Sequence, residues 1–307
     1  MRIGLIDVDG HNFPNIPLMK LSAWHKQQGD QVEWYSQMFS GKLDRVYMSK
    51  VFSFTQDFAG CINAEEIIKG GSGYCIERVN GKEIYNSKKD KPLSTDIEHI
   101  YPDYGIYPQF TQDTAYGFLS RGCPRGCEFC HVEAKEGKRA YKIADLKEFW
   151  NGQKNICLCD PNILACKDWE DLLGQAIESR AKVDFNQGID VRLATPEKIE
   201  MLNKIRIDRI HLAWDQPQQD LTNDFKRFSE CYCRKSAHGK VVYVLVNFNS
   251  TLEQDLHRIY TLRDLQYDPY VMIYDKANAS KQHKRLARWV NNRPIWRSCK
   301  RFEDYTA

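Results

Sequence analysis

The sequence has no long apolar run and little excess charge of either sign. Its longest uninterrupted apolar stretch is 241–246, far short of the ~20 residues that a membrane-spanning helix needs. The 307 residues include 44 Lys and Arg and 41 Asp and Glu, which gives a net charge of +3. Bulk charge so near neutrality does not indicate a nucleic-acid or membrane partner. We therefore expect no association with membranes.

The sequence also lacks a secretion signal, a disulfide framework and a dinucleotide-binding glycine motif. Asp7 and Asp9 make the N-terminal segment acidic, where a signal peptide is basic and then apolar. Eleven cysteines, an odd number in a long chain without such a signal, argue against disulfides. No G-x-G-x-x-G follows the first predicted strand. These absences predict a reduced, cytoplasmic protein in which some thiols bind metal.

The order of predicted elements gives an α/β fold in three parts. Residues 1–112 predict a small Rossmann-like α/β domain of three or four strands, with a polar linker that begins at Glu77. Residues 113–275 alternate between strand and helix patterns in six β/α units, one of whose helices is predicted at 143–151. Such a series predicts a parallel sheet, open or curled into a partial (β/α)6 TIM-type barrel. Residues 276–307 predict a basic helix and tail.

Three cysteines follow the first strand of the β/α series on a glycine-bearing loop. They are Cys123, Cys127 and Cys130, in a C-x3-C-x2-C pattern. With 11 cysteines in 307 residues, chance produces this spacing in roughly one or two such chains per hundred. A short loop of this kind can hold three thiolates on one face of an iron–sulfur cubane and leave the fourth iron open for chemistry. The alternative is a structural zinc site whose fourth ligand is His131 or Cys157.

The triad, in the form Cys123-x3-Cys127-x-Phe129-Cys130, resembles the signature of the radical SAM superfamily. The series of units from residue 115 to about 275 is similar in order and length to that family's partial barrel, and the loop with Gly122 resembles the branch with a cobalamin-binding-like N-terminal domain. The resemblance implies a 4Fe–4S cluster whose unique iron is chelated by S-adenosylmethionine (SAM). Reductive cleavage of SAM would yield a 5′-deoxyadenosyl radical that abstracts hydrogen from a substrate whose identity the sequence does not indicate. The catalytic residues are likewise not indicated.

The resemblance also implies SAM-binding positions after the second and third strands of the series. Asp160 and Asn162 follow the second strand, where the family often has a glycine-rich turn that faces the SAM amino group. The Gly-Gly-Glu form of that turn is missing, so this assignment rests on position, and a turn role is the alternative. Arg192 follows the third strand and resembles the basic residue that pairs with the SAM carboxylate, for which a guanidinium is well suited. An ordinary surface arginine is the alternative.

Three further positions are assigned to SAM by the same resemblance. Asp215 follows the fourth strand, at the place of an acidic residue that meets ribose or amino groups. Phe248 follows the fifth strand, and Phe129 stands beside the triad. Both aromatic residues are candidates for contact with adenine, and a place in the core is the alternative for each. A low-potential electron donor such as a flavodoxin or ferredoxin is the implied partner.

The first β/α turn resembles part of a cobalamin motif. Asp9, His11 and Pro14 lie in it, and proline stands where the motif's second glycine should be. His11 is the candidate cobalt ligand. A degenerate domain that covers the barrel or receives substrate is the preferred interpretation, and bound cobalamin is the alternative.

The C-terminal part suggests a second kind of partner. Residues 281–301 contain eight Lys or Arg and no Asp or Glu, interleaved with Trp289 and Trp296. That composition suits RNA, with stacking on the rings. However, Leu286, Trp289 and Val290 have helical spacing, which favours a last helix with a solvated basic face.

Two rival functions therefore stand beside the radical SAM interpretation. One is a zinc-stabilised nucleic-acid-binding protein, and the other is a catalytically silent iron–sulfur electron carrier. The other cysteines of the second half are interpreted as buried structural residues in preference to an auxiliary cluster. They are Cys157, Cys159, Cys166, Cys231, Cys233 and Cys299.

Overall fold

The structure, a computed structural model, describes residues 1–10, 13–79 and 82–306. It is a mixed α/β structure with several separate sheets. The chain forms two compact units, residues 1–157 and residues 158–307, called unit 1 and unit 2 below. The domain boundaries predicted after residues 112 and 275 stay predictions. Among the described residues, no helix is both long enough and apolar enough to cross a membrane.

Unit 1 begins with a four-stranded parallel sheet in the order β2-β1-β3-β4. Its strands are β1 (Arg2–Asp7), β2 (Gln31–Trp34), β3 (Leu43–Ser49) and β4 (Ala64–Gly70). Helix α1 (Ile16–Gln27) covers the sheet and begins where the Asn15 side chain accepts a hydrogen bond from the Leu18 amide. The apolar residues Ile3, Leu5, Leu18 and Leu21 form the core between helix and sheet. The predicted small α/β layer of three or four strands is therefore observed.

The rest of unit 1 consists of short elements. They are α2 (Ser72–Cys75), β5 (Ile76–Val79), β6 (Lys82–Tyr85), α3 (Thr95–Glu98), α4 (Pro108–Thr111), β7 (Thr114–Gly117), β8 (Ser120–Arg121), α5 (Val132–Glu136), β9 (Tyr141–Lys142) and β10 (Asn155–Leu158). Strands β5 and β6 form an antiparallel pair, β8 pairs with β9, and β7 pairs with β10. The predicted linker from Glu77 onward is thus wrong in part, because it contains a strand pair and two short helices.

A second local prediction fails at 143–151. In place of a helix, the chain forms one 3-10 turn at Leu146–Glu148, which Asp145 and Glu148 close by capping each other's backbone. Leu146 and Phe149 are buried by this single turn. Gly152 then takes a positive φ of 86°, which ends the segment. The helical signal came from Ile143, Leu146, Phe149 and Trp150, and the structure buries Leu146 and Phe149 without a longer helix.

Unit 2 alternates strand and helix, as the sequence predicts. Its strands are β11 (Lys182–Phe185), β12 (Ile210–Ala213), β13 (Lys240–Val246) and β14 (Asp268–Ile273), and its helices are α6 (Trp169–Ser179), α7 (Pro196–Lys204), α8 (Thr222–Cys231), α9 (Leu252–Asp264), α10 (Lys281–Asn291) and α11 (Arg293–Ser298). Strands β12, β13 and β14 form a parallel sheet with β13 in the centre. The described strands of the chain form no closed barrel.

Candidate functional site

The cysteine triad lies in unit 1, on the loop between β8 and α5, and two glycines shape this loop. Gly122 and Gly126 have φ values of +80° and +58°, a region that favours glycine. A Cβ atom at Gly122 would collide with the Arg139 carbonyl oxygen, and one at Gly126 would collide with the Glu133 carboxylate. The loop conformation therefore requires glycine at position 122, where backbone is in the way, and favours it at position 126.

The start of the loop is fastened by a charged network. The Glu136 carboxylate accepts hydrogen bonds from the Gly122 amide at 2.9 Å and from the Arg121 guanidinium at 2.8 Å. Arg121 also lies 3.6 Å from Glu98 and 3.6 Å above the Phe118 ring. These contacts tie the loop to α3 and α5 at half-buried positions, where charged hydrogen bonds are stronger than at the open surface.

The thiols of the triad lie near the surface of unit 1. Cys123 and Cys127 are half-buried and Cys130 is exposed. The Cys130 amide donates to the Cys127 carbonyl oxygen at 2.9 Å, which forms a turn between them. Within residues 1–10, 13–79 and 82–306, no three Cys, His, Asp or Glu side chains converge as a preformed metal site. The three thiols and the glycine turns are of the kind that a three-thiolate cluster loop needs, and a bound cluster would have to draw the three sulfur atoms together. Phe129 is half-buried beside them.

The residues proposed to complete a zinc site have other surroundings. His131 Nε2 lies 3.5 Å from the Glu83 carboxylate, and its ring is 6.4 Å from that of Tyr85. Cys157 is buried in β10. A carboxylate next to a histidine is also common at zinc sites, so the contact of His131 does not distinguish the zinc alternative from a cluster loop.

In unit 2, several predicted residues meet after the carboxyl ends of strands. Asn162 Nδ2 lies 3.5 Å from Asp190 Oδ2. Asp160, two residues before Asn162 in the sequence, is also buried. The Arg192 guanidinium binds both oxygens of Asp190, with Nε donating at 2.7 Å and an Nη atom at 3.2 Å. Its other Nη atom donates to Gln219 Oε1 at 2.6 Å. Asn162 and Arg192 are therefore joined through Asp190, a residue that no motif in the sequence marks.

Asp215 lies within the electrostatic reach of the same arginine. Burial raises the pKa of Asp215 to about 6, although the Leu245 amide and the charges of Arg258 and Arg192 act in the opposite direction. The Leu245 amide donates to Asp215 Oδ1 at 3.2 Å. A carboxyl group with this pKa exchanges its proton near neutral pH, a property common at functional sites.

A buried ion pair supports the loop that carries Asp215. Arg258 and Asp255, both on α9, are 1% and 0% exposed and lie 2.6 Å apart. Arg258 also donates to the carbonyl oxygens of Trp214 at 2.6 Å and Leu245 at 2.8 Å. It therefore joins the ends of β12 and β13 to the helix that follows them. The sequence contains a signal for this ion pair, because Asp255 and Arg258 are opposite charges three residues apart that interrupt the apolar stripe of α9.

Phe248 lies edge-to-face against Tyr274, with ring centroids 4.7 Å apart. His11, the candidate cobalt ligand, lies outside the described residues.

Cys157, Cys159 and Cys166 are buried as predicted. Cys231 and Cys233 are exposed and Cys299 is half-buried, so the prediction of buried cysteines is wrong for these three. Cys231 is the last residue of α8, Cys233 follows that helix, and Cys299 follows α11.

The aromatic rings of the basic C-terminal segment belong to the core. Trp289 is 0% exposed and Trp296 is 6% exposed. The Arg263 guanidinium lies 3.2 Å from the Trp296 ring centroid. With both rings covered, an RNA contact through 281–301 would rest on charge alone, and it stays a prediction.

Comparison with known proteins gives no assignment. The sequence matches no protein-family model. It also matches no curated protein. What this protein does must be inferred from its own residues and their geometry.

Proposed function

We propose that this protein is a radical SAM enzyme whose cluster loop is 122–130. The observation that carries the proposal is a C-x3-C-x2-C triad on a loop whose conformation requires Gly122 and whose first residues are held by Glu136. A 4Fe–4S cluster on this loop would supply the electron that cleaves SAM reductively. The finer fold in this proposal is a Rossmann-like domain followed by a partial (β/α)6 barrel.

The loop residues have a holding role in this proposal. Cys123, Cys127 and Cys130 provide three thiolates, and their number leaves one iron without a protein ligand. The Glu136 carboxylate binds the Gly122 amide and the Arg121 guanidinium, so the start of the loop that carries the three thiolates is held in place. Because Cys130 is exposed, a ligand and an electron donor can approach this side of the loop.

The residues of unit 2 have a SAM-binding role in the proposal. Arg192 is the candidate partner of the SAM carboxylate, and its fork is already held by Asp190. Asp190 positions the guanidinium and also competes with a ligand carboxylate for it. A bound carboxylate must therefore share the guanidinium with Asp190 or take the place of one of its hydrogen bonds.

Asp215 and Asn162 complete the polar group after the strands. With a pKa of about 6, Asp215 is mainly ionised at neutral pH and can accept hydrogen bonds from ribose hydroxyl or amino groups. Asn162 is buried next to Asp190 and can orient it. The proposed location is the cytoplasm, where a flavodoxin or ferredoxin can serve as electron donor.

Metal and sulfide analysis after anaerobic reconstitution tests the proposal. The wild-type protein should carry about four iron and four sulfide per chain. Cys123→Ala, Cys127→Ala and Cys130→Ala should each lose the cluster, because three thiolates are the full proposed protein ligand set. Cys231→Ala is the matched control, since Cys231 is also an exposed thiol and lies outside the loop. Zinc without sulfide, or a full cluster in any triad variant, would contradict the proposal.

A further inference from the structure

Unit 1 contains a second candidate binding site, a cavity at the carboxyl ends of β1 and β2. Its volume is about 540 Å³, within the usual size range of small-molecule pockets. The chain crosses from β2 over β1 to β3, so the point where the connections change direction lies between β1 and β3. The cavity lies on the other side of β1, next to β2. It shares with ligand sites of open parallel sheets its place at the carboxyl ends of the strands.

The walls of the cavity are mainly aromatic. The five rings that line it belong to Trp34, Tyr35, Phe58, Tyr107 and Phe110. Trp34 and Tyr107 meet edge-to-face with centroids 5.1 Å apart, and the Trp34 indole nitrogen is fixed by the Ile106 carbonyl oxygen at 3.3 Å. Trp34 nevertheless remains 41% exposed. A fixed, partly exposed ring of this kind is suited to stacking on a planar ligand.

One carboxylate projects among these rings. Asp7 ends β1 and lines the cavity, and the Tyr107 hydroxyl donates to its Oδ2 atom at 2.6 Å. Burial and the Asp7 charge raise the pKa of Tyr107, so this hydroxyl keeps its proton and orients the carboxylate. An ionised carboxylate accepts about four hydrogen bonds and donates none. It therefore favours a ligand edge that carries N–H donors, and Gln109 adds an amide to the lining.

We infer that this cavity binds a guanine-type purine, stacked on Trp34 and with its N1–H and exocyclic amine directed to Asp7. Guanine is the common base with two adjacent N–H donors on one edge, which matches the two oxygens of a carboxylate. Adenine and cytosine place a ring acceptor next to their amine, and uracil flanks its one N–H with carbonyl oxygens. An acceptor facing Asp7 would be repelled, so the carboxylate selects the base as well as binding it.

Calorimetric titration of the full chain with nucleosides tests this inference. Guanosine should bind at least about tenfold more tightly than inosine, which lacks only the exocyclic amine, because a hydrogen bond to a charged group is lost. Adenosine should bind more weakly still. The result should be the same with and without iron, so it is independent of the cluster. Equal affinity for the three nucleosides, or no guanosine binding up to about 1 mM, overturns the inference.

Two variants locate the binding. Asp7→Asn should remove the preference for guanosine over inosine, and Trp34→Leu should weaken all nucleosides about tenfold or more by removing the stacking surface. Phe39→Leu is the matched control, because Phe39 is an 85% exposed aromatic residue of unit 1 outside the cavity lining. If Asp7→Asn fails to fold, the wild-type comparison of guanosine with inosine still decides. Displacement of guanosine by hydroxocobalamin at equal concentration would assign the cavity to a corrin and overturn the inference.

Discussion

Replacing Asp255 by asparagine removes the negative charge that neutralises the buried Arg258 guanidinium. Both residues are almost fully inaccessible, so water cannot solvate the arginine that is left. Breaking a buried ion pair in this way typically costs about 3–5 kcal/mol of folding free energy. We expect about 3 kcal/mol, the lower limit, because the nearby Asp215 also stabilises the charge of Arg258. The second Asp255 oxygen lies 3.7 Å from His283 Nε2, so that contact changes too.

Urea denaturation of the full-length protein at pH 7.5 measures this loss. The matched control is Glu200→Gln on α7, which breaks a 2.8 Å ion pair with Lys204 at positions that are 69% and 56% exposed. That change should cost less than about 0.5 kcal/mol. Hydrogen exchange at β12 and β13 should accelerate in Asp255→Asn alone, since Arg258 holds the ends of both strands. A decrease in unfolding free energy of less than about 1 kcal/mol in Asp255→Asn would refute the reasoning, because an unpaired buried charge should destabilise the protein by more than that.

Two further predictions concern the polar group after the strands of unit 2. Arg192→Ala should weaken SAM binding, measured by titration on cluster-matched samples, by roughly 1.5–3 kcal/mol. Arg192→Lys should recover only part of this loss, because an ammonium group lacks the planar fork of the guanidinium. Unchanged SAM affinity in Arg192→Ala would contradict the assignment of Arg192. Asp215→Asn should stabilise the protein by up to about 3 kcal/mol at pH 8, where the native carboxylate is ionised although desolvation raises its pKa. Because its pKa is raised in the folded protein, this gain should fall as pH decreases through about 6 and vanish below about 4, where Asp215 is protonated in both states. Urea denaturation from pH 4 to pH 8 measures it, and a gain independent of pH would contradict the raised pKa.

The elements that the sequence predicts well are those with a repeated pattern. The α/β alternation of unit 2 follows from apolar residues whose spacing changes between strand and helix periods. Helix α7 begins at Pro196 after Thr195, whose hydroxyl caps the helix, as the residue types indicate. Helix α10 buries Leu286, Trp289 and Val290 on one face, which the favoured interpretation of the basic tail requires.

The features that escaped prediction depend on contacts between distant residues or on very short elements. The role of Asp190 is not predictable from the sequence, because it depends on the short distance between Asp190 and Arg192. A 3-10 turn sets that distance, and so short a turn has no periodic sequence pattern. The cavity of unit 1 combines residues from Leu5 to Phe110, so only the folded sheet assembles it. Strands β5 and β6 have four residues each, too few for an alternating pattern to stand out from a polar linker.

The most direct test of the account is whether the reduced protein cleaves SAM. Anaerobically reconstituted protein, with its cluster verified and a low-potential reductant present, should convert SAM to 5′-deoxyadenosine and methionine. Cys127→Ala should give neither product, and Cys231→Ala should give both, because only the first of these thiols belongs to the proposed cluster loop. Quantifying 5′-deoxyadenosine by mass spectrometry is the measurement. Its accumulation beyond the amount of enzyme is the predicted result, and intact SAM after prolonged incubation with a reduced cluster would contradict the account.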